Sequence, residues 1–193
     1  MHISKVVWLE EGMSQLAKFG IILGIICLAA TLVLAVTYEI TKPKIEAQLK
    51  KEESAALKEI LPGADAFKEK SVDGIEYFDA MKDGDLVGYC IRVVANGYNG
   101  YIRIVVGIDR SGVIKGVQVL EQYETPGLGS KITEVKSGEK DAWFLRQFKG
   151  KPASTVTLKK DVDAITGATI SSRAVTNAIR DTVTDFLSKV GKR

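Results

Sequence analysis

Apolar and polar positions divide the chain into four regimes. Residues 19–38 carry no charge at all, and a helix of about 20 such residues is what a bilayer core requires. Residues 41–63 are dominated by charge, with a sparse stripe of Ile45, Leu49, Leu57 and Leu61. Pro43 stands where a helix can start and Pro62-Gly63 where one ends, which predicts a polar connecting helix with a solvated face. Valines and isoleucines then partly alternate with polar residues, predicting strands over 75–80, 86–95, 101–109 and 113–122 in a sheet with one wet face. The connections KDGD and RSG are short turn signals, so neighbouring strands are expected to run antiparallel. A short helix is expected over 141–150, with Trp143, Phe144 and Phe148 on one side, and one more strand over 154–158. Finally, Val175, Ala178, Ile179, Val183, Phe186, Leu187 and Val190 recur at three- and four-residue steps. They predict a helix from about Ser172 to Val190, closed by Gly191. The expected fold class is α+β: an antiparallel sheet with flanking helices, on a single N-terminal transmembrane helix.

Length fits this plan, since 193 residues hold one ordinary domain plus something small. The organisation expected is an N-terminal tail over 1–18, the span over 19–38, the connecting helix over 39–63 and the domain over 64–193. Glu10 and Glu11 precede the apolar run, and the run is longer than the core of a signal peptide, so a retained anchor is expected. Lys5 and Lys18 lie before it, whereas Lys42, Lys44, Lys50, Lys51 and Lys58 lie after it. Counted alone, these lysines place the domain in the cytoplasm, but large domains translocate largely regardless of charge, so orientation stays open at this point.

Charge and ligand-forming residues narrow the chemistry. The net charge is only +3, with both signs interspersed, so there is no basic footprint for nucleic acid. The two cysteines, Cys27 and Cys90, are far apart, and His2 is the one histidine. Zinc and iron–sulfur sites lack their ligand sets, and serine or cysteine hydrolases lack their base.

One stretch stands out, DAITGATISSRAV (163–175), just ahead of the last helix. A structural explanation is available: Ser171 or Ser172 caps the helix and Gly167 permits a tight turn. A chemical one uses the same geometry. A helix N-terminus offers free amides and a positive dipole end to a phosphate, Gly167 and Ala168 permit close approach, and Thr166 and Thr169 supply hydroxyls. No P-loop lysine accompanies them, so a freely exchanging nucleotide is poorly supported. A phosphate held by a covalent bond to a hydroxyl needs fewer charged ligands.

DAITGATISS resembles the Asp-x-x-Ser/Thr-Gly-Ala-Thr motif of the covalent FMN-binding domain family. GYNGYIRIVVGID (97–109), ETPGLG (124–129), TKPKI (41–45) and WFLRQFKGK (143–151) resemble that family too, so the likeness covers nearly the whole chain. It is strongest to the G subunits of Rnf ion-translocating ferredoxin:NAD+ oxidoreductases; the related C subunits of sodium-pumping NADH:quinone reductases are usually longer. The resemblance implies a flavin transferase that joins FMN through its phosphate to Thr169, with Asp163, Thr166, Gly167 and Ala168 as the matching motif positions and Ser171 beside them. It implies that ETPGLG lies against the isoalloxazine, with Glu124 and Thr125 as polar contacts and Gly127 and Leu128 as backbone wall. Tyr98 could stack, although a strand-edge tyrosine explains it better. It further implies an extracytoplasmic domain, a membrane-lipid environment, other Rnf subunits as partners, and an electron relay that is not self-sufficient. A flavin-binding sensor or regulator, or a subunit whose motif carries no flavin, are the alternatives.

Overall fold

The computed structural model of this chain describes residues 3–136, 138–139 and 141–190. His2 and Gly191, the expected helix stop, lie outside the described residues. The chain divides into two compact units, one ending at Leu49 and one beginning at Lys50. Helix α1 (Ile3–Ile60) runs through both, and Pro43, expected near a helix start, lies inside it. A proline there deprives the Glu39 carbonyl of its amide, and the exposed position leaves that carbonyl open to solvent.

In the first unit the large apolar side chains from Phe19 to Tyr38 are exposed. Thr31 Oγ1 donates to the Cys27 carbonyl and Thr37 Oγ1 to the Val33 carbonyl, both at 2.8 Å. Hydroxyls satisfied within their own helix add little polarity to its surface. Among the described residues this is the one helix long and apolar enough to cross a membrane.

The second unit is built on five antiparallel strands in sequential order. They are β1 (Ala66–Val72), β2 (Ile75–Lys82), β3 (Asp85–Asn96), β4 (Tyr101–Asp109) and β5 (Ile114–Gln122). Helix α2 (Trp143–Arg146) and helix α3 (Thr169–Val190) follow. The α+β class and strands β2 to β5 match the sequence expectation. β1 was not expected: its KEK centre and exposed side chains hide a strand that needs only one neighbour, and lysines suit a sheet edge. The strand expected at 154–158 is absent. Ala153–Thr155 is a 3-10 turn, and the Thr157 amide donates to Asp161 Oδ2 at 2.9 Å, so the chain folds back on itself instead of joining a ladder.

One sheet face carries the main core. Ile91, Val93, Ile102, Ile104, Val106 and Ile108 meet Val175, Ile179, Val183 and Phe186 of α3, with Phe144 and Phe148 closing one end. The other face is not wet throughout, contrary to the alternation read from the sequence. Leu57, Ile60 and Leu61, at the end of α1, are buried against Phe78, Ala80, Cys90 and Val105. The last turns of the 41–63 segment therefore bury one face, while Lys58 and Glu59 on the other stay exposed. Gly107 makes this seat possible, because a Cβ there would overlap Ile60 Cγ2. Arg92 pins the same helix end. Its Nε and Nη2 donate to the two oxygens of Glu53 at 2.6 and 2.7 Å, and its Nη1 reaches Glu69 and Glu76 at 2.6 and 2.8 Å. Those bonds hold the guanidinium pKa above its ordinary value.

Candidate functional site

The chain leaves β5 at Gln122 and enters a turn made by Thr125, Pro126, Gly127 and Leu128. The Leu128 amide donates to the Thr125 carbonyl at 3.1 Å, and Gly127 takes φ +76°, the left-handed conformation that the third position of a type II turn requires. Ser130 Oγ accepts the Gly127 amide at 2.9 Å and locks the turn. A second turn, at Ile165–Ala168, precedes α3. Gly167 has φ +80°, and the Ala168 amide donates to the Ile165 carbonyl at 2.9 Å.

Helix α3 begins at Thr169, earlier than the alternation of apolar residues suggested. Neither serine is its cap. Ser172 Oγ accepts the Ile165 amide at 3.1 Å and donates to the Ala168 carbonyl at 2.9 Å, which braces the preceding turn. Ser171 Oγ donates to Glu124 Oε2 at 2.6 Å in a buried contact. The amides of Thr169, Ile170 and Ser171 have no acceptor among the described residues. They face outward at the positive end of a long helix, the arrangement that receives phosphates.

These two turns and the β3–β4 hairpin enclose a cavity of about 370 Å³, within the ~300–1,000 Å³ typical of small-molecule sites. Glu124, Thr125, Leu128, Gly167, Ala168, Thr169 and Ser171 line it. The two stretches singled out in the sequence are thus brought together, although they are separated along the chain by α2 and its flanking loops. Asp163, Thr166 and Gly127 do not line the cavity. The backbone of Asp163 is bracketed by Gln147, with its amide on Oε1 at 2.8 Å, and Thr166 and Gly127 are exposed turn residues. Three lining residues had no firm place in the sequence reading: Tyr98, Gly129 and Ile170. Tyr98 is at the hairpin tip, where the glycines bracketing YN were the available signal. Gly129 and Ile170 follow neighbours already chosen.

The residues present fit a flavin phosphate. Thr169 lines the cavity, half-buried, beside the free amides. Gly167, whose φ of +80° favours glycine, leaves the space beside it open, with only Leu128 Cδ2 within 4 Å of a Cβ. The apolar rim of Tyr98, Leu128 and Ile170 is exposed, which suits a flat aromatic group.

Comparison with known proteins agrees. The family model described as FMN-binding domain matches residues 97–184, and the one described as RnfG N-terminal region matches 13–60. The chain is 36% identical over 182 residues to the G subunit of the ion-translocating oxidoreductase complex of Haemophilus influenzae (strain PittEE), covering 83% of this chain and 85% of that protein. It is 32% identical over 195 residues to the corresponding protein of Pasteurella multocida (strain Pm70), covering 91% and 96%. It is 31% identical over 188 residues to the G subunit of the Na(+)-translocating ferredoxin:NAD(+) oxidoreductase complex of Acetobacterium woodii, covering 84% and 87%.

Proposed function

This chain belongs to the FMN-binding domain family, among the G subunits of ion-translocating oxidoreductase complexes, and from that premise we propose that it relays electrons through an FMN joined by a phosphoester to Thr169. The complex would be a membrane ion-translocating ferredoxin:NAD+ oxidoreductase, as the Acetobacterium relative is named. The single observation that carries the reading is the shared cavity: Thr169, at the free end of α3, faces the loop that carries ETPGLG.

The hydroxyls of this stretch are not equivalent, which supports Thr169 in particular. Ser171 is buried with its hydroxyl given to Glu124, and Ser172 is buried with its hydroxyl given to Ala168. Thr176 donates to the Ser172 carbonyl, and Thr166 stands outside the cavity wall. Thr169 alone of these both lines the cavity and has its hydroxyl uncommitted.

Joining an alcohol to a phosphate in water requires an activated donor, so the transferase would act with a flavin phosphoanhydride such as FAD. Thr169 would supply the oxygen that bonds to phosphorus as the anhydride bond breaks and AMP leaves, its hydroxyl proton passing to the transferase. The amides of Thr169, Ile170 and Ser171 would hold the phosphate oxygens, whose charge the helix dipole favours. Bound FMN supplies one-electron redox chemistry, while the chain supplies position and electrostatics. The sequence has no dinucleotide fingerprint and no cysteine cluster, so electrons arrive from one partner subunit and leave to another. The span over 19–38 would anchor the chain in a single pass, with the domain on the extracytoplasmic side where a tethered flavin stays at high local concentration.

Thr169→Ala tests the reading. In the assembled complex it should remove flavin fluorescence from the denatured subunit and stop ferredoxin-linked NAD+ reduction with its coupled ion transport. Flavin that persists on the variant, or a mass shift that maps to Thr166 or Ser171, overturns the attachment site. A variant complex that still couples electron flow to ion movement at the normal rate places the flavin off the main path.

A further inference from the structure

We propose that Glu124 is the positioning residue for the attachment threonine, holding the first turn of α3 so that the Thr169 hydroxyl points into the cavity. This rests on the attachment site proposed above. Glu124 is buried, yet its carboxylate has no cation beside it among the described residues. It sits where three segments meet. Its own amide is fixed by Gln122 Oε1 at 2.8 Å; its Oε1 accepts the Asn99 amide of the β3–β4 hairpin at 3.2 Å; its Oε2 accepts the Ser171 hydroxyl at 2.6 Å. Asn99 is held in turn by its Nδ2 bond to the Tyr123 carbonyl at 3.0 Å.

The surroundings are shaped to this one carboxylate. A Cβ at Gly97 would overlap Glu124 Oε1, and a Cβ at Gly129 would overlap Glu124 Oε2 and crowd Ser171 Oγ at 2.7 Å. Neither glycine has a positive φ, so backbone conformation does not demand glycine at either place. The room they leave is room for the acid. A buried carboxylate is an expensive way to fill space, because a well-packed apolar side chain does as well or better. Here the helix N-terminus and two hydrogen bonds offset that cost, and what the acid gains is a fixed azimuth for the first turn of α3. Ser171 and Thr169 share that turn. Clamping the Ser171 side chain to the 124–129 loop therefore sets where the Thr169 oxygen points relative to the same loop. Small misplacement of a reacting oxygen is costly in rate, on the order of 10–100-fold for about 1 Å.

The test measures covalent flavin uptake by the full chain in detergent micelles, with purified flavin transferase and FAD, alongside the melting temperature of each variant. Glu124→Ala and Ser171→Ala should slow the initial rate by on the order of 10-fold or more, with Ser171→Ala still folded at the assay temperature although it leaves Glu124 Oε2 without that donor and so melts roughly a few degrees lower. Glu124→Gln keeps the shape and an acceptor for Ser171, and should recover most of the rate. Gly97→Ala should slow uptake in the wild-type chain but add little to Glu124→Ala, since the Oε1 and Cδ that its Cβ would overlap are gone. Wild-type rates in both Glu124→Ala and Ser171→Ala would overturn the proposal. If Glu124→Ala fails to fold, Ser171→Ala, which removes one oxygen, decides alone. A wild-type chain that takes up no flavin at Thr169 would instead sink the attachment site itself.

Discussion

The contact between Gly107 and Ile60 yields a prediction in which the sign of one substitution depends on the other. Ile60 is 6% exposed and packs with Phe78, Ala80, Cys90 and Val105. Truncating a buried isoleucine to alanine costs about 2–5 kcal/mol. At about 3 °C per kcal/mol for a unit of this size, Ile60→Ala should lower the melting temperature by roughly 6–15 °C. Ile45→Ala, at a position 52% exposed on the same helix, should move it by no more than about 1–2 °C. Gly107→Ala places a methyl group on Ile60 Cγ2, and overpacking of this kind costs about 1–3 kcal/mol. In the Ile60→Ala background the clash is gone, and alanine should instead gain up to about 1 kcal/mol over glycine in a strand. Unfolding of the full chain in detergent, followed by Trp143 fluorescence in a Trp8→Phe background, reads all four corners. If Gly107→Ala costs the same in both backgrounds, or Ile60→Ala is as mild as Ile45→Ala, the end of α1 is not part of the domain's core.

Two further outcomes are expected. A cysteine placed near the C-terminus of a Cys27→Ala chain should react with an impermeant maleimide in intact cells; labelling only after lysis would put the domain in the cytoplasm and make the lysine count the better guide. Cys90 should stay silent in that assay until the protein unfolds, because burial pushes its thiol up to about 12. Burial works against the Asp109 carboxylate, but Lys115 at 2.8 Å, the Ser111 hydroxyl and the amides of Ser111 and Val113 outweigh it and hold its pKa well below the ordinary range. A depressed carboxylate stabilises the fold above its unfolded pKa of about 4 and loses that contribution as pH falls through the folded value. The melting-temperature gap between wild type and Asp109→Asn should therefore be widest near neutral pH and narrow below about pH 4; a gap unchanged at about pH 2 would contradict it.

Strands β2 to β5 were legible because runs of apolar side chains, buried on one or both faces, stand between short turn signals. β1 has no such run, since an edge strand of KEK needs only backbone pairing. The threonines and valine of 154–158 misled for the converse reason: β-branched residues favour extended backbone, yet Pro152 and the Asp161 carboxylate commit this segment to turns. The burial of Leu57, Ile60 and Leu61 was invisible because its cause lies in other elements, chiefly the missing side chains of Gly107 and Gly116. At the site, each motif was readable on its own. Their meeting was not: Glu124 and Ser171 are 47 residues apart and are joined by a single hydrogen bond that no local pattern announces.

The hydroxyl-rich, small-residue approach to α3 can now be divided by task. A helix start needs one hydroxyl at most, and residues 166–176 carry five, of which Thr166 is an exposed turn residue outside the cavity. Two of them are consumed by the fold itself. Ser172 braces the turn before the helix, and Thr176 returns its proton to the Ser172 carbonyl. Ser171 is consumed by Glu124, and that bond is what ties the helix start to ETPGLG. Capping does not explain the remaining threonine, because Thr169 is already inside the helix and three amides at that end stay free. Gly167 has a conformational reason, its φ of +80° in the turn before the helix, but packing does not fill the space beside it, where only Leu128 Cδ2 lies within 4 Å of a Cβ. An uncommitted hydroxyl, free amides and a gap left beside them are costs to stability with no structural return. They make physical sense together only if a group carrying a phosphate comes to occupy them.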